Sequence, residues 1–414
     1  CHCLVGSEMC IRDSYRTTAY QFNNTEHAAN LFGLKEFGNI YSRLGNPTVG
    51  ALEARLTALE EGAMCVALSS GTSAVMYSLI NIMSQGDNFV TANQLYGGTY
   101  TMFDNILPEY GINSKKVDIT DLEAVEAAID EKTRAIYCET ITNPGLVVAD
   151  ISALADIAHS KGIPLIVDAT FTTSAILKPF EYGADIVVYS LTKWMSGHGR
   201  VIAGAVIEKG GFDWGNGNFP LYDKPDTSYG GMRWGHDLGD LGNVAYSLRL
   251  RTVPLRNLGA NMSPDTAFEV MSGLETLALR MERHCENAIK AAEYLTKHDL
   301  VEWVRFPGLK DDPAYDLSEK YLKGTGGTMV VFGIKGGKDA GQKFIDNLKM
   351  FRHVANVGDT RSLAIHPATT THSQLDEDQL IAAGSPPELI RLSIGIEDID
   401  DIIEDLSQAL ESTK

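Results

Sequence analysis

The chain is poor in the features that mark most specialised protein classes. It has only six cysteines in 414 residues, and after Cys10 they stand isolated at Cys65, Cys138 and Cys285. That usage excludes a disulfide framework and fits reduced thiols in a cytoplasmic setting. No apolar run approaches the roughly 18 residues of a membrane span. Basic charge is also scarce, with 35 Lys and Arg against 54 Asp and Glu, a net charge of −19. Without a Lys/Arg cluster, such a surface repels nucleic acid and anionic membranes. No G-x-G-x-x-G follows the first predicted strand, so the fingerprint of a nucleotide-binding protein or dehydrogenase is missing. What remains is ordinary: 44% hydrophobic residues and enough length for two or three domains.

The first fourteen residues, CHCLVGSEMCIRDS, lack the basic start and apolar stretch of a signal peptide and show no periodicity. They read as a non-native leader, with the native start expected to be missing. Cys1 and Cys3 lack the further ligands of a tetrahedral metal site. His366 and His372 lack a carboxylate or third histidine at ligand spacing, so no metal is expected.

From about residue 60, short β-branched runs alternate with helical periods. MCVALSS (64–70), NFVTAN (88–93), RAIYCET (134–140), PLIVDAT (164–170), DIVVYSLTK (185–193) and VIAGAVIE (201–208) read as strands. Ala74, Val75, Leu79, Ile82 and Met83 mark one helix face, and ISALADIAHSKG (151–162) a second helix. The alternation predicts an α/β fold with a mostly parallel sheet covered on both faces. Ligands of such sheets bind beyond the carboxyl ends of the strands. Ser70 with Gly71 and Thr72, Tyr96, Asn143, Asp168, and Ser190 with Thr192 and Lys193 all fall there.

The chemistry of that set points to one ligand. A glycine turn opening a helix among hydroxyls suits a phosphate. An amine at a sheet edge can bond an aldehyde. A carboxylate at a neighbouring strand end favours a protonated pyridine nitrogen. Together these describe pyridoxal 5′-phosphate. Singly, each feature has a plainer reading: Lys193 as a solvated loop lysine, Asp168 as a helix cap, Tyr96-Gly97-Gly98 as a turn.

The blocks YSRLGNPT (41–48), SSGTSA (69–74), LYGGTY (95–100), SLTKWMSGHG (190–199), GLETLALRMERHCENA (273–288), HPATTTH (366–372) and RLSIGIED (391–398) carry a resemblance. Over nearly its whole length the chain resembles the fold-type I, pyridoxal-phosphate-dependent enzymes of cysteine and methionine metabolism, and within them the sulfhydrylases. The resemblance implies that Lys193 bonds the cofactor, Asp168 holds the pyridine nitrogen and Tyr96 stacks on the ring. Ser70, Gly71, Thr72, Ser190 and Thr192 would cradle the phosphate. Tyr41 and Arg43 would complete a neighbouring subunit's phosphate site, in a homodimer or homotetramer with shared active sites. Arg391, with Asn143 and Asn356, would bind the substrate carboxylate. Without the resemblance, Arg43 and Arg391 could be a surface arginine and an ion-pair partner.

The implied reaction is γ-replacement, O-acetyl-L-homoserine plus sulfide giving L-homocysteine and acetate. The alternatives are methionine γ-lyase or cystathionine γ-synthase activity. Gly98, where the lyases typically carry cysteine, and the 210–235 insertion favour the first. Ala169 and Arg200 depart from the family's usual asparagine and small residue, and both are expected to touch the cofactor's surroundings.

The expected organisation is an extended arm over 15–45, a large cofactor domain over about 46–262 and a smaller α/β domain over 263–414. One long helix is expected from about Ser263 to Leu295. The Gly-, Asp- and aromatic-rich stretch 210–235 is expected to be an irregular active-site lid.

Overall fold

The structure is a computed structural model that describes residues 14–370, 380 and 384–414. Residues 1–13, which hold nearly all of the leader, and His372 lie outside the described residues. Seven strands form the larger sheet: β1 (Met64–Leu68), β2 (Asn88–Ala92), β3 (Asn113–Val117), β4 (Thr133–Glu139), β5 (Leu165–Asp168), β6 (Ile186–Ser190) and β7 (Gly204–Glu208). Their order is β1-β7-β6-β5-β4-β2-β3. Strands β3, β2, β4, β5 and β6 are parallel, while β7 runs antiparallel to both of its neighbours, β6 and β1. The fold is therefore α/β with a mostly parallel sheet.

Residues of β2, β4, β5, β6 and β7 are almost all buried, as expected of strands covered on both faces. The edge strand β3, NSKKV, gives no apolar signal. Its lysines protect an open sheet edge and at the same time hide it from pattern reading.

A second, mainly antiparallel sheet comprises β8 (Val301–Arg305), β9 (Met329–Ile334), β10 (Arg352–His353), β11 (Leu363–Ile365) and β12 (Leu389–Ser393). Its order is β10-β11-β12-β9-β8, and the helices Leu277–Thr296, Gly337–Asn347 and Ile399–Glu411 share its apolar core. Among the described residues no helix is long and apolar enough to cross a membrane.

Three sequence expectations change. The segment 15–45 is not simply extended: it carries the eight-residue helix Thr25–Phe32, capped by the Asn24 side chain. The expected long helix is two helices, Pro264–Leu274 and Leu277–Thr296, separated at Glu275 and Thr276. The break goes with a contact to a distant turn. Arg280 reaches back to donate to Gly273 O at 2.8 Å, Trp194 O at 2.7 Å and Met195 O at 3.3 Å, and its Nε donates to Thr276 Oγ1 at 3.1 Å. It thereby ties the helix junction to the turn that follows Lys193.

The third change is the lid. Trp214, Phe219, Tyr222 and Trp234 are all buried. Trp214 stacks on Tyr222 and Tyr246 with centroids 5.0 and 5.1 Å apart, and its indole N–H donates to Glu208 at 3.3 Å. Tyr222 accepts from the buried Asn81 amide at 3.0 Å. Aromatic packing of this kind anchors 210–235 to the body of the protein.

At Gly273 a side chain has no room, since a Cβ would lie 2.2 Å from Ser196 O. Gly273→Ala is expected to destabilise the protein by about 1–3 kcal/mol, the usual penalty for overpacking. Urea unfolding of the variant beside the wild type measures it.

Candidate active site

Because β1, β4, β5 and β6 point the same way, their carboxyl ends open on one edge of the sheet. A cavity of about 330 Å³ lies there. Its lining includes Ser70, Gly71, Thr72, Tyr96, Asn143, Asp168, Ser190, Thr192, Lys193, Asn356 and Arg391, eleven of the residues singled out from sequence. Tyr41 and Arg43 do not line it. The Arg43 guanidinium instead lies 5.0 Å from the centroid of the Tyr41 ring, and Tyr41 is 39% exposed. Ala169 is a buried core residue, and Arg200 faces outward toward Glu269 at 3.8 Å. Neither lines the cavity, so the expectation that both touch the cofactor's surroundings is corrected. No residue of 210–235 lines it either.

One end of the cavity is built for an anion. The helix Gly71–Ile80 starts there, capped by Ser70, whose Oγ accepts from Ser73 N at 3.0 Å. The first-turn amides of a helix lack upstream carbonyl partners and face outward. Ser190 closes on this turn, and a Cβ on Gly71 would lie 2.5 Å from the Ser190 Cβ. Only glycine lets β6 and the helix approach so closely. The Thr192 hydroxyl is engaged with the Ala203 backbone at 3.0 and 3.2 Å, which pins the turn carrying Lys193.

Asp168, at the end of β5, accepts from Thr170 N at 2.9 Å and from the Tyr137 hydroxyl at 3.3 Å. Burial pushes its carboxyl above the usual range, only partly countered by these hydrogen bonds. Lys193 stands on the turn after β6, where Nζ donates to Asn356 Oδ1 at 2.5 Å. Burial, helped by the nearby Arg391 charge, lowers its amine from 10.5 to about 8. Arg391, in β12, donates to Asn143 Oδ1 at 3.0 Å and Asn356 O at 3.4 Å. Among the described residues, Lys193, Arg391 and Asp168 take part in no ion pair, and their polar partners are neutral.

That charge pattern decides what fits. Buried charges are ordinarily paired. Here a cationic ring nitrogen would meet Asp168, an aldehyde the Lys193 amine, a phosphate the Gly71–Ile80 helix start and a carboxylate Arg391. Pyridoxal phosphate and an amino acid supply all four. The residues present fit the cofactor.

One ionisable wall residue was missed from sequence. Glu139 ends β4 as Asp168 ends β5, in register beside it. A polar residue closing the apolar run of RAIYCET was the available signal. Burial and the Asp168 charge push its carboxyl up to about 8.

Fold and site together are those of an α/β enzyme whose chemistry centres on a buried amine. A family model described as Cys/Met metabolism PLP-dependent enzyme matches residues 8–411, and the chain belongs to that family. It is 47% identical to the O-acetyl-L-homoserine sulfhydrylase of Leptospira meyeri, over 96% of this chain and 91% of that protein. It is 46% identical to the homocysteine synthase of Schizosaccharomyces pombe, over 96% and 92% of the two chains. A crystal structure of a Campylobacter jejuni protein assigned as an O-acetylhomoserine (thiol)-lyase superposes with a TM-score of 0.92 at 41% identity, covering 96% of this chain and 94% of that one. That structure carries pyridoxyl-lysine monophosphate.

A lysine lowered from 10.5 to about 8 sheds its proton in the range where an unperturbed one stays charged. The rate at which the apo-protein captures pyridoxal phosphate is therefore expected to climb with pH through about 8 and level off above it. Stopped-flow absorbance across that range checks this, and a rise beginning only near the ordinary lysine value would contradict it. Gly71→Ala, by forcing Ser190 away, is expected to weaken cofactor retention about tenfold or more, read by equilibrium dialysis.

Proposed function

We propose that the protein makes L-homocysteine and acetate from O-acetyl-L-homoserine and sulfide. One observation carries the reading: Lys193, Asp168 and Arg391 converge, without carboxylate or cation partners, on a single cavity. The names of the relatives, O-acetyl-L-homoserine sulfhydrylase and homocysteine synthase, support the choice of substrate.

When bound, pyridoxal phosphate supplies an electron-withdrawing ring that acidifies the carbons beside the substrate amine. The chain's own groups do the rest. Asp168 keeps the pyridine nitrogen charged, and the Gly71–Ile80 helix start with Ser70, Thr72, Ser190 and Thr192 holds the phosphate. Tyr96 covers one face of the ring. Arg391 grips the substrate carboxylate through its planar fork, which Asn143 and Asn356 hold in orientation. With the cofactor bound, Lys193 Nζ would take the proton from the substrate Cα and serve Cβ in turn, since a base must stand within hydrogen-bond reach. Loss of acetate from Cγ leaves that carbon open to sulfide, and Lys193 returns the protons.

The choice of γ-replacement over γ-elimination leans on Gly98. A Cβ there would lie 2.6 Å from Cε1 of Tyr96, so the ring occupies the space a side chain would need. No residue of 210–235 lines the cavity, so this insertion supplies no lid over it.

Assembly into a homodimer or homotetramer is part of the same reading. Arg43 does not line its own chain's cavity, and Phe32, Phe37 and Tyr41 of the same segment are exposed. A symmetric neighbour would receive Tyr41 and Arg43 at its phosphate site. The buried free thiols Cys65, Cys138 and Cys285 favour a cytoplasmic location.

Product analysis tests the activity directly. Homocysteine and acetate should form in equal amounts from O-acetyl-L-homoserine only when sulfide is present, and Lys193→Ala should lower turnover by about 10³-fold or more. Release of 2-oxobutanoate from methionine, with no homocysteine from O-acetylhomoserine and sulfide, would overturn the reading. Mixing Arg43→Ala with Lys193→Ala protein should restore part of the activity through hybrid oligomers. No recovery in hybrids whose formation has been confirmed would refute a shared site.

A further inference from the structure

Glu139 is a buried acid in the cavity wall with no role in the reaction just described. It sits in register beside Asp168, so two carboxylates lie side by side where each raises the cost of charging the other. An apolar residue would fill the same space without that penalty. The compensation lies in what its two oxygens hold. Oε1 accepts the backbone N–H of Tyr96 at 2.8 Å, and Oε2 accepts the backbone N–H of Asn143 at 3.2 Å. These amides belong to different loops. Tyr96 follows β2 and Asn143 follows β4, its neighbour in the sheet. Asn143 in turn accepts from Arg391 at 3.0 Å.

We propose that Glu139 is a positioning residue whose carboxylate ties the Tyr96 loop to the Asn143 loop and, through Asn143, aims Arg391 at the substrate carboxylate. The proposal rests on the reading of Arg391 as the carboxylate-binding group. Its chemistry is specific to a carboxylate. Above about pH 8, where the side chain is ionised, both of its oxygens accept, whereas a glutamine of the same shape has one acceptor oxygen and one NH2, so it can serve one of the two amides and sets a donor against the other. Loosening the first loop disturbs the ring over the cofactor. Loosening the second disturbs the arginine fork.

The test compares wild-type holoenzyme with Glu139→Gln and Glu139→Asp at a pH above about 8, where Glu139 is ionised. For Glu139→Gln, KM for O-acetyl-L-homoserine is expected to rise about tenfold while kcat falls no more than about threefold. The visible circular dichroism of the bound cofactor should weaken, and thermal unfolding should stay close to wild type. In an Asn143→Ala background, which frees Arg391 from the same tether, the Glu139→Gln effect on KM should shrink to less than about twofold, because coupled residues do not act additively. If Glu139→Gln does not fold, Glu139→Asp, which keeps both oxygens one methylene short, should show the same pattern at about threefold.

Wild-type KM and wild-type circular dichroism in the folded variants would overturn the proposal, as would KM effects that multiply fully in the double variant. L-Norvaline, an amino acid with no leaving group, separates this from failure of the functional reading. Its binding is read from the cofactor's absorption and needs no turnover. Weaker norvaline binding in Glu139→Gln supports the proposal even if O-acetylhomoserine is not the substrate, and unchanged binding counts against it.

Discussion

The structure depends on a single alignment: β4, β5 and β6 run parallel, and β1 joins them in direction across the antiparallel β7. In a sheet built this way, every strand of that direction delivers the residue after its last apolar position to the same edge. Glu139, Asp168 and Ser190 arrive there from three adjacent strands, and the Ser70–Gly71 helix start arrives from β1. The approach of Gly71 to Ser190 sets how tightly that edge closes. Were any of these strands reversed, its polar end would lie at the far side of the sheet.

The second sheet finishes the cavity. Asn356 follows β10 and Arg391 lies within β12, both far in sequence from Lys193, yet Asn356 accepts from the Lys193 amine and its backbone carbonyl from Arg391. Both cations donate to neutral amides, Lys193 to Asn356 and Arg391 to Asn143. A direct salt bridge would quench the charges; amide contacts hold them in place and leave them available to a ligand. The same logic governs Arg280, which meets four neutral oxygens and joins the second sheet's long helix to the turn behind Lys193.

The organisation away from the cavity is as instructive. The 210–235 stretch has the composition of a mobile loop, yet Trp214, Phe219, Tyr222 and Trp234 are as buried as the main core. Aromatic residues among glycines can mean either a binding loop or a small packed insert, because both need large rings on an irregular backbone. Which one forms depends on whether a neighbouring surface is there to receive the rings. Here β7 and the helix Gly71–Ile80, with Asn81 just beyond it, provide that surface.

Local pattern alone determined the strands β1, β2, β4, β5, β6 and β7, the helix over 151–160 and the placing of Ser70, Asp168 and Lys193 at strand ends. Those features follow from residues close in the chain: apolar runs that must be buried and polar residues that end them. Asn143 also fell at a strand end, but Asn356, Arg391 and the pair Tyr41 and Arg43 were reached through family resemblance, since nothing local distinguishes them from surface polar residues. Only the tertiary structure decided the rest. The polar edge strand β3 exists because β2 needed a partner, and the helix broke at Thr276 because Arg280 found carbonyls from a distant turn. Glu139 became a wall residue because β4 happens to lie beside β5. Each is a contact between residues far apart in sequence, and its energy is invisible until the chain has brought them together.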